Sequence, residues 1–230
     1  MHTTYSTFLL AGQTVHHVEF DPTTFTDADL LWLPHHAHLT HAGRKRKTDH
    51  LAGRIAAAHA LHALNEHTLP GIGSGGEPLW PEGISGSITH SGVQAMAIAV
   101  RDQHLLTGID CEAILPEREA KEIKDGVINA QEETCLLQSG YPFGLALTLT
   151  FSAKESVFKA LFPHAGVYMG FDCAQVIALD DKSLTLALSR TVGEFNEGKH
   201  FTLAWKRVNG SVFTLASEKS TRLSGLSHGV

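Results

Sequence analysis

SITHSGVQAMAIAVRDQHLLTGIDCE, residues 87–112, decides how this chain folds. Ser87–Ser91 and Gln94–Val100 are strand-like runs, and Ser91-Gly92 between them supplies turn chemistry, so together they read as a β-hairpin. Leu105–Glu112 reads as a third strand of the same sheet. It ends on Gly108-Ile109-Asp110-Cys111-Glu112. In a strand, residues i and i+2 face one side, so Asp110 and Glu112 present two carboxylates together. Two close carboxylates both stay ionised only beside a cation. A hard divalent ion such as Mg²⁺ suits an all-oxygen set and keeps several waters. The plainer reading is two solvated acids at a strand end.

Upstream, PGIGSGGEPLWPEGISG (residues 70–86) is punctuated too densely by Gly and Pro for helix or strand. Before it, residues 42–66 form a long helix rich in Ala, Leu, Arg and Lys. Leu51, Ile55, Ala58, Leu61 and Leu64 recur at spacings of four and three as a buried stripe. Lys47, His50 and Arg54 follow the same spacing on another face. Thr26-Asp27-Ala28-Asp29 reads as a helix start, and Val15–Phe20 as the first strand. Downstream come a polar helical segment from Pro116 to Ser139 and a helix from Ser152 to Phe162. Strands follow at Asp172–Leu179, Ser183–Ser189, His200–Val208 and Val212–Ala216. The tail from Ser217 to Val230 has no periodicity and is expected to be loose. The chain is therefore α+β, in two halves of similar plan: 1–105, and 106–230 with the loose tail from about 217.

A length of 230 residues suits one or two domains. With 43% apolar and 18% charged residues, the chain is not of the disordered class. The 18 Lys and Arg against 24 Asp and Glu give a net charge of −6, which argues against a nucleic-acid coat. Cys111, Cys135 and Cys173 form no CxxC pair, and reduced thiols in the cytoplasm are expected. Phe8–Gly12 is too short for a signal or anchor, and no run of ~18 apolar residues marks a membrane span. The sixteen histidines are scattered without an HExxH. His35, His36 and His38 could meet a soft metal only by chance.

Three further clusters carry chemistry. In FSAKESVFKALF (151–162), Phe151, Phe158 and Phe162 share a stripe expected to face the core. Glu155 and Lys159 sit i, i+4 on the accessible side. Ser152 reads as an N-cap boxed with Glu155, which is the plain explanation of that acid; a third metal carboxylate flanked by cations is the chemical one. Arg44-Lys45-Arg46-Lys47 with Arg54 can neutralise a phosphorylated small molecule, bind nucleic acid, or form a solvated turn. Ser87-Ile88-Thr89-His90-Ser91-Gly92 can offer donors to a phosphate, or hold a satisfied turn histidine. Residue chemistry alone reaches a Mg²⁺-dependent enzyme acting on a phosphate ester.

In order and spacing, GRKRKTDHLAGRIAAAHAL, GEPLWPEGISGSITHSG, GIDCE and LTFSAKESVFKALF, between residues 43 and 162, resemble the 4′-phosphopantetheinyl transferases, most closely the enterobactin synthase component D branch. The resemblance implies two similar α/β subdomains related by a pseudo-twofold, with the active site in the cleft between them. It implies transfer of the 4′-phosphopantetheine of coenzyme A to a serine of an apo carrier protein, with release of 3′,5′-ADP. The acceptors implied are peptidyl or aryl carrier domains of siderophore synthetases. The metal ligands would be Asp110, Glu112 and Glu155, holding Mg²⁺ or Mn²⁺. Catalysis would fall to Glu155 as base and Lys154 as the group stabilising or protonating the leaving phosphate. Coenzyme A would be bound by Arg46, Arg54, Thr89, His90, Ser91, Asp110, Lys154 and Lys159, with Arg44 and Lys47 as further candidates. The first subdomain would serve the nucleotide, the second the metal and the carrier. A monomer is expected.

Four positions depart from the family pattern. Phe151 stands where Trp is common, Ser156 where Ala is common, and Cys111 where an aliphatic residue is usual. Glu77 stands where Lys, Arg or Gln is frequent, and an acid there would not touch a phosphate. The segment Pro116–Gly144, with Arg118, Lys121, Lys124, Val127, Ile128, Leu136 and Leu137, is the candidate carrier-docking surface. Two other classes compete: a phosphohydrolase using the same acids on water, and a nucleic-acid module built on Arg44–Lys47.

Overall fold

The computed structural model describes residues 1–220. The described residues cluster into two units, Met1–Leu106 with 218–220, and Thr107–Ser217. Among the described residues no helix is long and apolar enough to cross a membrane.

The first unit opens with a hairpin of β1 (His2–Leu10) and β2 (Gln13–Asp21). Ala11 and Gly12 join them with φ of 52° and 77°. Two positive φ values give the turn whose twist matches paired strands. β1 precedes the first strand expected from sequence, at Val15, and carries no signal of its own, because it is largely exposed on both faces and shows no apolar alternation. Residues 22–39 run in short 3₁₀ turns, one of them starting at Thr26, where Asp29 accepts the Thr26 N–H at 2.8 Å. Helix α1 (Arg44–His62) follows. A two-strand ribbon, β3 (Gly71–Ile72) and β4 (Pro78–Leu79), sits inside the expected loop. The expected hairpin is present as β5 (Ser85–Ser91) and β6 (Gln94–Val100), and the sheet order is β1-β2-β6-β5.

The buried face of α1 differs from the expected stripe. Ala52, Ala56, Ala57 and Ala60 pack on Val18, Phe20, Ala95 and Ala97. Small residues on both sides bring helix and sheet close together. Gly53 takes this furthest, for a Cβ there would lie 2.9 Å from Cγ2 of Ile88. Leu51 instead joins Phe25, Leu30, Leu33 and Leu39 from the 3₁₀ turns. Ile55, Ala58 and Leu64 are only partly buried.

The second unit carries β7 (Leu105–Ala113), α2 (Glu117–Ile123), α3 (Ala130–Leu137), α4 (Phe143–Ala165), β8 (Ala174–Leu179), β9 (Ser183–Leu188), β10 (His200–Val208) and β11 (Ser211–Lys219). Its sheet order is β7-β11-β10-β9-β8. This corrects the expected third strand of the hairpin: β7 pairs with β11 instead. Leu105 to Cys111 are all buried, which suits an apolar strand covered on both faces. The expected helix from Pro116 to Ser139 breaks into α2, a 3₁₀ turn at Lys124–Gly126, and α3. The strand β11 runs to Lys219, so a loose tail from 217 starts too early; its remainder, 221–230, lies outside the described residues.

Candidate active site

The site of the second unit begins with a glycine. A Cβ at Gly108 would lie 1.8 Å from Ser156 O and 2.9 Å from Ala160 N, so only glycine lets β7 rest on the backbone of α4. Two residues on, Asp110 is buried at 4% exposure. Its Oδ1 accepts a hydrogen bond from Lys159 Nζ at 3.1 Å, and the same ammonium donates to Ile109 O at 2.9 Å. Its Oδ2 is buried with no N–H or hydroxyl donor. The neighbour able to share a proton with Asp110 is the Glu112 carboxyl. Burial first, then the Asp110 charge and that shared hydrogen bond, push the Glu112 carboxyl up to about 8. Burial and Asp110 also raise Glu155, while Lys159 pulls it down. Asp110, Glu112, Glu155 and Lys159 thus form one electrostatic cluster on β7 and α4. Among the described residues no three acidic, His or Cys side chains already converge as a metal cage.

Cys111, between the two acids, is 1% exposed. Burial, with the charges of Asp110 and Glu112, pushes its thiol up to about 12, so it stays a thiol.

Lys154 is not in this cluster. It is fully buried, and Nζ donates to Val127 O at 2.7 Å and Phe171 O at 2.9 Å and pairs with Glu132 Oε2 at 2.9 Å. The expected capping box at Ser152 is also absent, because α4 starts nine residues earlier, at Phe143. Glu117 of α2 serves that end, its Oε1 accepting the Gly144 N–H at 2.7 Å. Ser152 and Ser156 instead hydrogen-bond Thr214 Oγ1 at 2.8 and 2.7 Å. That bond gives Ser156 a reason to stand where Ala is common. The Phe stripe is half-buried rather than core: Phe151 and Phe158 lie against Phe171, with ring centroids 4.9 and 6.0 Å apart. The core face of α4 is Leu145, Leu149, Ala153, Val157 and Leu161.

In the first unit, His90 is exposed at the end of β5, and its Nδ1 lies 3.7 Å from Asp49 Oδ2. Thr89 is buried and Ser91 half-buried. The same Asp49 oxygen receives Lys45 Nζ at 2.7 Å. Arg46 is exposed in the first turn of α1. Arg44 donates to Pro22 O and Phe25 O and lies over the Phe25 ring; Lys47 pairs with Asp27. Arg54 is buried and donates to Pro70 O at 3.2 Å and Gly71 O at 2.9 Å, and burial lowers it to about 10. Glu77 caps its own turn, accepting the Gly75 N–H at 2.9 Å. Of the basic set, Arg44, Lys45, Lys47 and Arg54 have structural partners.

Sequence reasoning missed Glu132, Gly108 and Asp49. Glu132 had a signal: Asn129-Ala130-Gln131-Glu132 has capping-box spacing, and both reciprocal bonds form, at 2.9 and 3.1 Å. The carrier-docking segment is sorted by burial. Val127, Ile128 and Leu136 are buried, Lys124 pairs with Glu133 at 2.6 Å, and Arg118, Lys121, Ile123 and Leu137 are exposed.

Comparison with known proteins bears on this geometry. Residues 34–100 match the 4′-phosphopantetheinyl transferase N-terminal domain, and residues 107–216 match the 4′-phosphopantetheinyl transferase superfamily. The chain is 43% identical over 207 residues to enterobactin synthase component D of Salmonella typhi, covering 90% of this chain and 87% of that one. It is 42% identical over 215 residues to enterobactin synthase component D of Escherichia coli (strain K12), covering 94% and 98%. To 4′-phosphopantetheinyl transferase Svp of Streptomyces mobaraensis it is 32% identical over 206 residues, covering 83% and 81%.

Proposed function

The chain belongs to the 4′-phosphopantetheinyl transferase superfamily, and from that membership we propose that it transfers the 4′-phosphopantetheine of coenzyme A to a serine of an apo carrier protein. The likeness to enterobactin synthase components supports a carrier domain of a siderophore synthetase as acceptor. The observation that carries the chemistry is the Asp110–Glu112–Glu155 cluster against Lys159.

These residues fit a hard divalent cation. The donor set is all oxygen, Asp110 Oδ2 is buried with no N–H or hydroxyl donor, and burial with the Asp110 charge raises the Glu112 and Glu155 carboxyls. Asp110, Glu112 and Glu155 would hold Mg²⁺, with Mn²⁺ also suited. When bound, the ion would polarise phosphoryl oxygens and neutralise charge on the pyrophosphate.

The chain's own residues supply the rest. Glu155, raised by burial, is poised to accept the proton of the carrier serine as its oxygen attacks the β-phosphate. Lys159 uses two of its three N–H donors on Ile109 and Asp110, which leaves one for a phosphate oxygen of the departing 3′,5′-ADP. That position suits Lys159 for the leaving-group role expected of Lys154. Arg46, His90, Thr89 and Ser91 would bind the nucleotide phosphates, and Arg54 would hold the Pro70–Gly71 backbone beside them. Arg118, Lys121, Ile123 and Leu137 are the exposed part of the docking segment and would offer the carrier a basic and apolar surface. The free thiols of Cys111, Cys135 and Cys173 support a cytoplasmic setting.

The test is product analysis with coenzyme A and Mg²⁺, with and without an apo carrier. We expect 3′,5′-ADP only when the carrier is present, in step with carrier modified. Nucleotide release without carrier would instead make the chain a phosphohydrolase.

A further inference from the structure

Lys154 directly precedes Glu155, yet the two side chains have different surroundings. An ammonium has three N–H donors. Those of Lys154 are taken by Val127 O, Phe171 O and the Glu132 carboxylate. Glu132 also accepts the Asn129 N–H at 3.1 Å and the Val176 N–H at 2.9 Å. One ion pair therefore ties α4 to the 127–129 turn, to α3, to residue 171 and to β8. Both side chains are buried at 3% exposure or less. Such a pair costs desolvation, and it is retained when every remaining donor and acceptor is satisfied, as here.

We infer that Lys154 is a positioning residue: with Glu132 it seats α3, the Phe171 turn and β8 on α4 beside Glu155, and its ammonium neither binds phosphate nor moves a proton. The inference rests on the proposed transferase reading and adds that the lysine next to the base works through structure alone. Lys154→Met leaves the Glu132 charge buried and unpaired and leaves two carbonyls without donors. Adding Glu132→Gln removes that charge. The amide oxygen can still accept from one of Val176 and Asn129, and the other N–H loses its acceptor, a smaller cost than a buried unpaired charge.

The experiment compares wild type, Lys154→Met and Lys154→Met/Glu132→Gln by urea midpoint, by kcat and KM for coenzyme A, and by the pH profile of kcat. We expect the single variant to lose both midpoint and kcat. The double variant should regain midpoint, and about tenfold or more in kcat over the single. KM for coenzyme A and the alkaline limb of the profile should stay as in wild type. A double variant no more stable than the single overturns the proposal. So does one that regains its midpoint but stays as inactive as the single, or loses the alkaline limb, for then the ammonium acts in the chemistry. A wild-type protein that transfers nothing would sink the transferase reading, while the urea midpoints would still decide whether the pair is a strut.

Discussion

At the residue scale, Gly108 and Asp110 have distinct duties. Gly108 sets the spacing between β7 and α4, since any side chain there meets the Ser156 carbonyl. Gly108→Ala is expected to destabilise the second unit by about 1–3 kcal/mol or more, as overpacking does, with a drop in kcat as Asp110 and Glu155 part. A urea titration of the variant checks it, and an unchanged midpoint would mean that the strand shifts without strain. Asp110→Asn keeps shape and loses charge. With Lys159 deprived of its counter-charge and the cation of a charged ligand, transfer should fall about 100-fold or more. These duties were unevenly legible. The acids of GIDCE announce themselves, because strand alternation puts Asp110 and Glu112 on one side whatever the sheet. The partner of Lys154 does not, because Glu132 lies 22 residues away and meets it only once α3 has docked.

At the element scale, α1 shows how a helix face can be read in outline and missed in detail. Its existence follows from helix-forming residues, but its buried face is made of alanines, which carry little periodic signal beside the leucines. Likewise α4 begins at Phe143 because a carboxylate from α2 caps it, and a cap supplied by another element leaves no local mark. The α1 face also carries a pH dependence. His50 Nε2 and His35 Nε2 are 2.8 Å apart, one donating to the other. Burial first, then the Arg54 charge, lowers both, His50 to about 3. Unfolded imidazoles take protons near the ordinary 6.5, and the folded ones do so only at lower pH. The unfolded chain thus binds more protons below 6.5, so this contribution is complete above 6.5 and is lost as pH falls toward 3. The urea midpoint should drop between pH 7 and pH 5, and His50→Gln should flatten that drop. Equal slopes in both proteins would remove the histidine pair from the account.

At the scale of the whole molecule, a net charge of −6 spread over the chain does not by itself define where a carrier domain would dock. A local surface must, and Arg118 and Lys121 on α2 are exposed beside the apolar Ile123. Arg118→Glu/Lys121→Glu should raise the KM for the carrier several-fold and leave that for coenzyme A alone; a carrier KM that does not move would place docking elsewhere. The α+β class and the four motif segments were legible because each is local. The partition of strands between two sheets was not, since β7 follows the β5–β6 hairpin in sequence but pairs with β11, a strand about 100 residues later. The proposed role of the acidic cluster on β7 and α4 is to drive phosphopantetheine transfer. It is tested most directly by the intact mass of an apo siderophore carrier domain after incubation with coenzyme A, Mg²⁺ and either wild-type protein or Asp110→Asn, each with an EDTA control. A gain of one phosphopantetheine is expected with wild type, abolished by EDTA and nearly absent with Asp110→Asn. An unmodified carrier with wild type, or full modification by Asp110→Asn, would contradict it.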